Sequence, residues 1–147
     1  MLNQPAPTFS LEATSGEQIK LENLKGSFVV LIFYPANDTP TCNAQLEEMS
    51  MTSQELLTRN TLIFGVNTAP LAKSSDYCLR KRLSFPILND QGGQVAKLYK
   101  ASWPWIGLNK RTVVVVGPSG QICFYERGKP PAQKILDCID QLRAAAV

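Results

Sequence analysis

The first apolar positions of the chain, Phe9 and Leu11, then Ile19 and Leu21, alternate with polar ones on either side of Ser15-Gly16-Glu17. A period of two broken by a glycine turn predicts a hairpin at a sheet edge. Residues 29–34 are apolar without interruption and include two valines, the pattern of a central strand covered on both faces. Helical spacing follows, with Leu46, Met49, Leu56 and Leu57 on a helix over residues 42–59 whose centre, residues 50–53, is mostly polar. Residues 61–66 read as a second buried strand. Two such strands with a helix between them predict a right-handed β-α-β unit with a parallel pair.

Pro70 opens a second helix running to about Arg82, with Leu71, Cys78 and Leu79 on one side. Residues 85–88 form a short strand that Pro86 places at an edge or strand end. A turn over residues 89–93 and a short helix over 94–99 come next. The aromatic loop at residues 103–107 reads as a lid packed on the core, with a place beside the reactive site as the alternative. Strands over 112–116 and 122–125 are joined by Gly117-Pro118-Ser119-Gly120, a hairpin signal. Pro130-Pro131 opens a last helix with Ile135, Cys138, Ile139 and Leu142 on one face. This order predicts an α/β chain with a mixed central sheet, helices on both faces and an N-terminal β-hairpin. No linker or repeat divides it, so one domain over residues 1–147 is expected.

Composition narrows the chemistry. At 147 residues the chain can bury enough surface to fold without a disulfide. Lysine and arginine outnumber aspartate and glutamate by 15 to 12, a surplus too small and dispersed to suggest nucleic acid. The one basic cluster, Arg80-Lys81-Arg82, closes a helix and complements its dipole. Residues 1–11 show neither a basic start nor an apolar run, and no segment approaches the ~20 apolar residues of a membrane span. The expected setting is a reducing cytoplasm, where a disulfide is catalytic and transient rather than structural. The chain has no histidine, and Cys42, Cys78, Cys123 and Cys138 include no close pair, so neither a metal nor a cofactor is expected.

The cysteines remain. Residues 35–42 join the first buried strand to the first helix, which puts Cys42 in a first helical turn. Unpaired N–H groups and the positive end of the helix dipole favour an anion there. With no histidine, Cys-His and Ser-His catalysis are excluded, so a thiolate must rely on fixed dipoles and a cation. Cys138 reads as a core residue, and Cys123 lies in a strand with its face unassigned.

The order of elements is similar to that of a thioredoxin-like fold, yet a dithiol oxidoreductase needs Cys-x-x-Cys and Thr39 stands where its first cysteine would be. Thr39-Pro40-Thr41-Cys42 preceded by Pro35 resembles the Pro-x-x-x-Thr-x-x-Cys signature of peroxiredoxins. Asp38-Thr39-Pro40 with Tyr34 resembles the bacterioferritin-comigratory (PrxQ) branch. Pro7, Phe9 and Leu11 near the start, and Arg111-Thr112 followed by a strand and Gly120, extend the resemblance over nearly the whole chain.

The resemblance implies a peroxidase acting on hydrogen peroxide and organic hydroperoxides. Cys42 would attack the peroxide, Thr39, Arg111 and the Cys42 backbone N–H would hold its oxygens, and Pro35 would shield the intermediate from water. Arg111 is preferred to Lys110 for its place in the motif and because a guanidinium bonds two oxygens. The chain also departs from the family pattern: Glu47 fills the common resolving-cysteine position, Gln45 a frequent glutamate, Thr41 a frequent glycine and Gly117 a usual aspartate. Some members carry the resolving cysteine on the next helix, where this chain has Cys78. The cycle implied is a Cys42–Cys78 disulfide reduced by thioredoxin or a similar dithiol, in a monomer.

A disulfide needs Cα atoms within about 7 Å, so a helix-start and a mid-helix cysteine call for local opening. The mostly polar stretch over residues 50–53 and the serines at 74 and 75 suggest that opening loses few apolar contacts. The alternatives are a one-cysteine peroxidase, a thioredoxin-fold reductase or isomerase that Thr39 disfavours, and a non-catalytic thioredoxin-like binding module.

Overall fold

The structure is a computed structural model that describes residues 1–103 and 105–145. Pro104, Ala146 and Val147, which belong to the expected domain over 1–147 and in the first case to the aromatic loop, lie outside the described residues. Strands β1 (Ser10–Glu12) and β2 (Gln18–Lys20) pair antiparallel, as the alternating positions predict. Strand β3 (Phe28–Phe33) is buried at every position. It is central, parallel to β4 (Thr61–Asn67) on one side and antiparallel to β8 (Thr112–Val116) on the other. Strand β5 (Ile87–Asn89) forms one edge and β9 (Ile122–Arg127) the other, giving the mixed order β5-β4-β3-β8-β9.

Alternation along β3 divides the core in two. Val30, Ile32 and Tyr34 face α1 (Pro40–Met51), α2 (Ser53–Thr58), α3 (Leu71–Lys81) and α5 (Ala132–Ala145). Val29, Leu31 and Phe33 face the N-terminal segment and α4 (Gln94–Leu98). The register of β8 on β9 shifts between Val115 and Val116. That bulge turns Cys123 and Phe124 to the same face, toward α5, and so settles the orientation of Cys123.

Several expectations are corrected by packing. The helix expected over 42–59 begins at Pro40 and breaks at Thr52, whose hydroxyl donates to Glu48 O at 2.9 Å. The new start at Ser53 turns Leu56 inward and leaves Leu57 exposed. Pro70 is the N-cap of α3 rather than its first helical residue. In α3, Ser74 and Tyr77 are the buried residues, Cys78 is half-buried, and Leu79 is 80% exposed. Adjacent helical residues differ by about 100°, so once Tyr77 takes the sheet side Leu79 cannot share it. Leu142 is exposed near the end of α5, and Cys138 is half-buried at the rim of the core.

The aromatic loop is no lid on the core. Strands β6 (Ser102–Trp103) and β7 (Leu108–Asn109) pair as a small hairpin that leaves Trp105 86% exposed. The serines expected to be loosely held are engaged as well. Ser84 N–H donates to Ser50 Oγ at 2.8 Å, and Ser84 Oγ lies 3.0 Å from Ser50 O and 2.8 Å from Ser53 Oγ.

Gly65 in β4 marks the tightest backbone approach. A β-carbon there would stand 3.2 Å from both Ile87 Cγ1 and Tyr34 Cε1, and both side chains are fully buried. Gly65→Ala is expected to cost about 1–3 kcal/mol by overpacking. Urea unfolding checks this as a lower midpoint with an unchanged slope.

Candidate active site

Thr39 caps α1 with an extended backbone, φ −109° and ψ 148°, and Pro40 follows at the first helical position, which needs no N–H partner. Thr39 Oγ1 accepts the Cys42 N–H at 3.4 Å. That donor, expected to serve a peroxide, is therefore turned to the cap, and the hydrogen of the Thr39 hydroxyl is left to donate. Cys42 itself is buried, 0% exposed, against Leu46 and the β3 face of the core.

Arg111 reaches the sulfur from the entry of β8. Phe33 at the end of β3 pairs with Thr112, so the residue before Thr112 stands beside the chain leading into the Pro35 loop. Arg111 Nη1 and Nη2 each lie 3.4 Å from Cys42 Sγ, a forked contact that only a guanidinium makes. Its backbone is fixed on both sides: Gly128 N–H donates to Arg111 O, and Lys110 N–H to Ala101 O, each at 2.8 Å. Asn109 Nδ2 donates to Val66 O at 3.1 Å and Tyr34 O at 3.3 Å, tying the ends of β4 and β3 to the segment that carries Arg111.

Gln45, one turn after Cys42, completes the cluster. Its Oε1 accepts from Arg111 Nη1 at 3.0 Å. The i to i+3 spacing from Cys42 was the available signal, since it sets both side chains on one helix face.

Pro35 is half-buried and lines an open cleft with Ala36, Asn37, Thr68, Lys73 and Arg80. Cys78 lies elsewhere. Its Sγ is 3.7 Å from Thr14 Oγ1, which in turn accepts the Ile87 N–H at 3.0 Å. Burial pushes the Cys78 thiol up, against the pull of the Thr14 contact. Polar pairs hold α3 to the motif loop and to α1. Tyr34 donates to Asn37 Oδ1 at 2.6 Å, Asn37 Nδ2 donates to Ser74 Oγ at 3.1 Å, Tyr77 donates to Asn43 Oδ1, and Arg80 meets Asp38 at 3.2 Å.

Burial, with the nearby Cys42 charge as a smaller cause, pushes Tyr77 up to about 12, and burial also raises Tyr34. Both phenols thus remain neutral donors. Hydrogen bonds from Asn43 and Arg80 hold the Asp38 carboxyl below the usual range. Burial lifts Cys123 to about 11 and raises Cys138, so neither is poised as a nucleophile. Among the described residues no group of three or more His, Cys, Asp or Glu could hold a metal, and no helix is long and apolar enough to cross a membrane.

A family model described as the AhpC/TSA family matches residues 2–125. A Bcp protein of Helicobacter pylori J99 is 29% identical over 147 residues, covering 94% of this chain and 97% of that protein. Peroxiredoxin Bcp of Escherichia coli K12 is 32% identical over 94 residues, 64% of this chain and 60% of its own length. Two solved structures share the fold. Peroxidoxin BcpB from Mycobacterium tuberculosis has a TM-score of 0.88 at 24% identity over 95% of this chain and 96% of its own. Xanthomonas campestris peroxiredoxin Q has 0.84 at 22% identity over 100% and 98%. The match spans the Pro35 loop and the strand entry carrying Arg111 alike, and the chain belongs to the AhpC/TSA family as a peroxiredoxin of the bacterioferritin-comigratory (PrxQ) type.

Proposed function

We propose that this thiol peroxidase reduces hydrogen peroxide and organic hydroperoxides at Cys42, that Cys78 resolves the product, and that thioredoxin or a similar dithiol restores the enzyme. The observation that carries the first step is the fork of Arg111 Nη1 and Nη2 on Cys42 Sγ, at 3.4 Å each. The thiolate sulfur attacks one peroxide oxygen, the O–O bond breaks, and the other oxygen leaves with the electron pair and takes a proton to become water or alcohol. Sulfur is oxidised to sulfenic acid. Arg111 and the Thr39 hydroxyl are placed to donate to the oxygens, where charge grows as the bond breaks. Pro35, in the loop before α1, would shield the intermediate from water.

Resolution requires movement, because Cys78 sits against Thr14. The Cys78 sulfur then attacks the sulfenic sulfur, an S–S bond forms and water leaves. Beside the buried packing of Tyr77, three polar contacts hold α3 against the loop and α1: Ser74 with Asn37, Tyr77 with Asn43, and Arg80 with Asp38. Water can replace each of these, at a net loss of about 0.5–1.5 kcal/mol per hydrogen bond. A reducing cytoplasm would supply the dithiol, and the cycle needs one chain only. A one-cysteine cycle is the second reading, favoured by the seat of Cys78 against Thr14.

Cys78→Ser separates the two. It is expected to consume the first peroxide at nearly the parental rate, while thioredoxin-driven turnover falls and oxygen adducts accumulate on Cys42. Peptide mapping of the oxidised parent is the companion measurement. A Cys42–Cys123 or intermolecular Cys42 linkage with Cys78 reduced would remove Cys78 from the cycle.

A further inference from the structure

Gln45 has no reacting atom, yet it sets the charge balance of the pocket. Its side chain is 4% exposed, and the orientation of the amide is forced. Arginine has donors only, so the atom 3.0 Å from Arg111 Nη1 must be the oxygen. Nε2 then points away without a partner. A buried donor left unsatisfied is destabilising, and a carboxylate in the same place would accept from Arg111 without any orphaned N–H.

Among the described residues no ion pair includes Arg111. Of the two carboxylates that follow on α1, Glu47 is exposed to solvent and Glu48 is turned to the Ala132 N–H at 2.9 Å. Beside Arg111, Thr112 Oγ1 accepts from a second cation, Arg127, at 2.8 Å. Among the described residues, the one group that contacts the guanidinium and can carry negative charge is Cys42.

We infer that Gln45 is a positioning residue that aims Arg111 at Cys42 without neutralising it, so that the thiolate is the guanidinium's sole counter-charge and its oxidation unpairs the site. This deepens the proposed peroxidase cycle and rests on its assignment of Cys42. The thiolate and peroxide give sulfenic acid and an oxyanion, and the oxyanion takes a proton and departs as water or alcohol. The negative charge leaves with it. Arg111, half-buried, then stands between a neutral sulfur and a neutral amide. Its hold on the first turn of α1 weakens in the oxidised enzyme alone, which is when that turn must open. A glutamate at position 45 would keep Arg111 paired in both states and erase the difference.

A double-mutant cycle on the reduced protein tests the charge argument without any turnover. Cys42→Ser replaces the anion by a neutral group of nearly the same size, as oxidation does. It should lower the melting temperature by ~2–4 °C in the parent and leave it unchanged or higher in Gln45→Glu. Equal losses in both backgrounds overturn the inference. Gln45→Met removes the aiming amide without adding charge and should keep a smaller loss of the same sign; if it erases the loss as Glu does, the added charge is not what matters and the inference fails.

Should Gln45→Glu not fold, Arg111→Met serves, since with no cation to unpair the Cys42→Ser loss should vanish there; an undiminished loss overturns the inference. With Cys42 present, Gln45→Glu should form sulfinic acid at several-fold lower peroxide, because the sulfenic acid stays folded longer. An unchanged sulfinic yield counts against it. The same mass spectra show whether the parent forms sulfenic acid on Cys42 at all. Its absence sinks the peroxidase assignment, whereas the stability cycle reports on the charge pair alone.

Discussion

Cys42→Ser is expected to consume no peroxide while the chain keeps its fold. Serine's hydroxyl fits the same pocket but is not ionised at neutral pH, so the nucleophile disappears and the packing around Leu46 stays. Peroxide consumption under single-turnover conditions gives the first half, and near-ultraviolet circular dichroism the second. The effect should be total, because no other thiol is equipped to substitute. Burial raises Cys78, Cys123 and Cys138. Cys78 meets a hydroxyl and Cys123 and Cys138 meet backbone carbonyls, none of them a cation. Retained turnover in the variant would move the chemistry to one of those three.

Arg111→Met should slow peroxide reduction by on the order of a hundredfold or more, the range for losing a preorganised donor. Ionisation alone cannot account for such an effect. A free cysteine with pKa about 8.5 is already about 3% thiolate at neutral pH, so full ionisation adds only about thirtyfold. The remainder must come from interactions that are stronger in the transition state, as charge passes from sulfur to the leaving oxygen. A fork with both nitrogens 3.4 Å from the sulfur can follow that charge, one nitrogen staying as the other shifts. Arg111→Lys should recover only part of the rate, since a single ammonium cannot reproduce the fork. Stopped-flow measurement of the first oxidation checks both variants. A parental rate in Arg111→Met would hand the role to another cation, for which Lys110 is poorly placed: its ammonium lies 4.6 Å from the centroid of the Trp103 ring.

Much of this arrangement is legible in the residues themselves, for local reasons. A period of two marks β1 and β2, an unbroken apolar run marks β3, and Thr39-Pro40 announces the start of α1 by capping chemistry. Cys42, Thr39 and Arg111 are recognisable from their motif, and the structure brings them together. What fails to show is whatever depends on a distant partner. Tyr77 rather than Leu79 turns inward on α3 because Asn43 on α1 receives its hydroxyl. Cys78 rests on Thr14, 64 residues away, which no spacing along the helix reveals. Gln45 can be noted as a departure, but its part depends on which of its atoms Arg111 meets. The polar stretch around Ser50 looks loose until Ser84 is seen to fill it.

The β6–β7 hairpin has a consequence for how the protein can be observed. Its two tryptophans, Trp103 and Trp105, are the only ones in the chain, and they are 48% and 86% exposed. Indoles already in water gain little further hydration when a chain unfolds, so intrinsic fluorescence is a poor witness to the loss of this core. It is a better witness to one locality. The hairpin runs directly into Asn109, Lys110 and Arg111, and Lys110 lies over the Trp103 ring. Emission therefore reports displacement of the segment that carries the guanidinium, while the fully buried Tyr34, Tyr77 and Tyr99 carry the optical signature of tertiary packing.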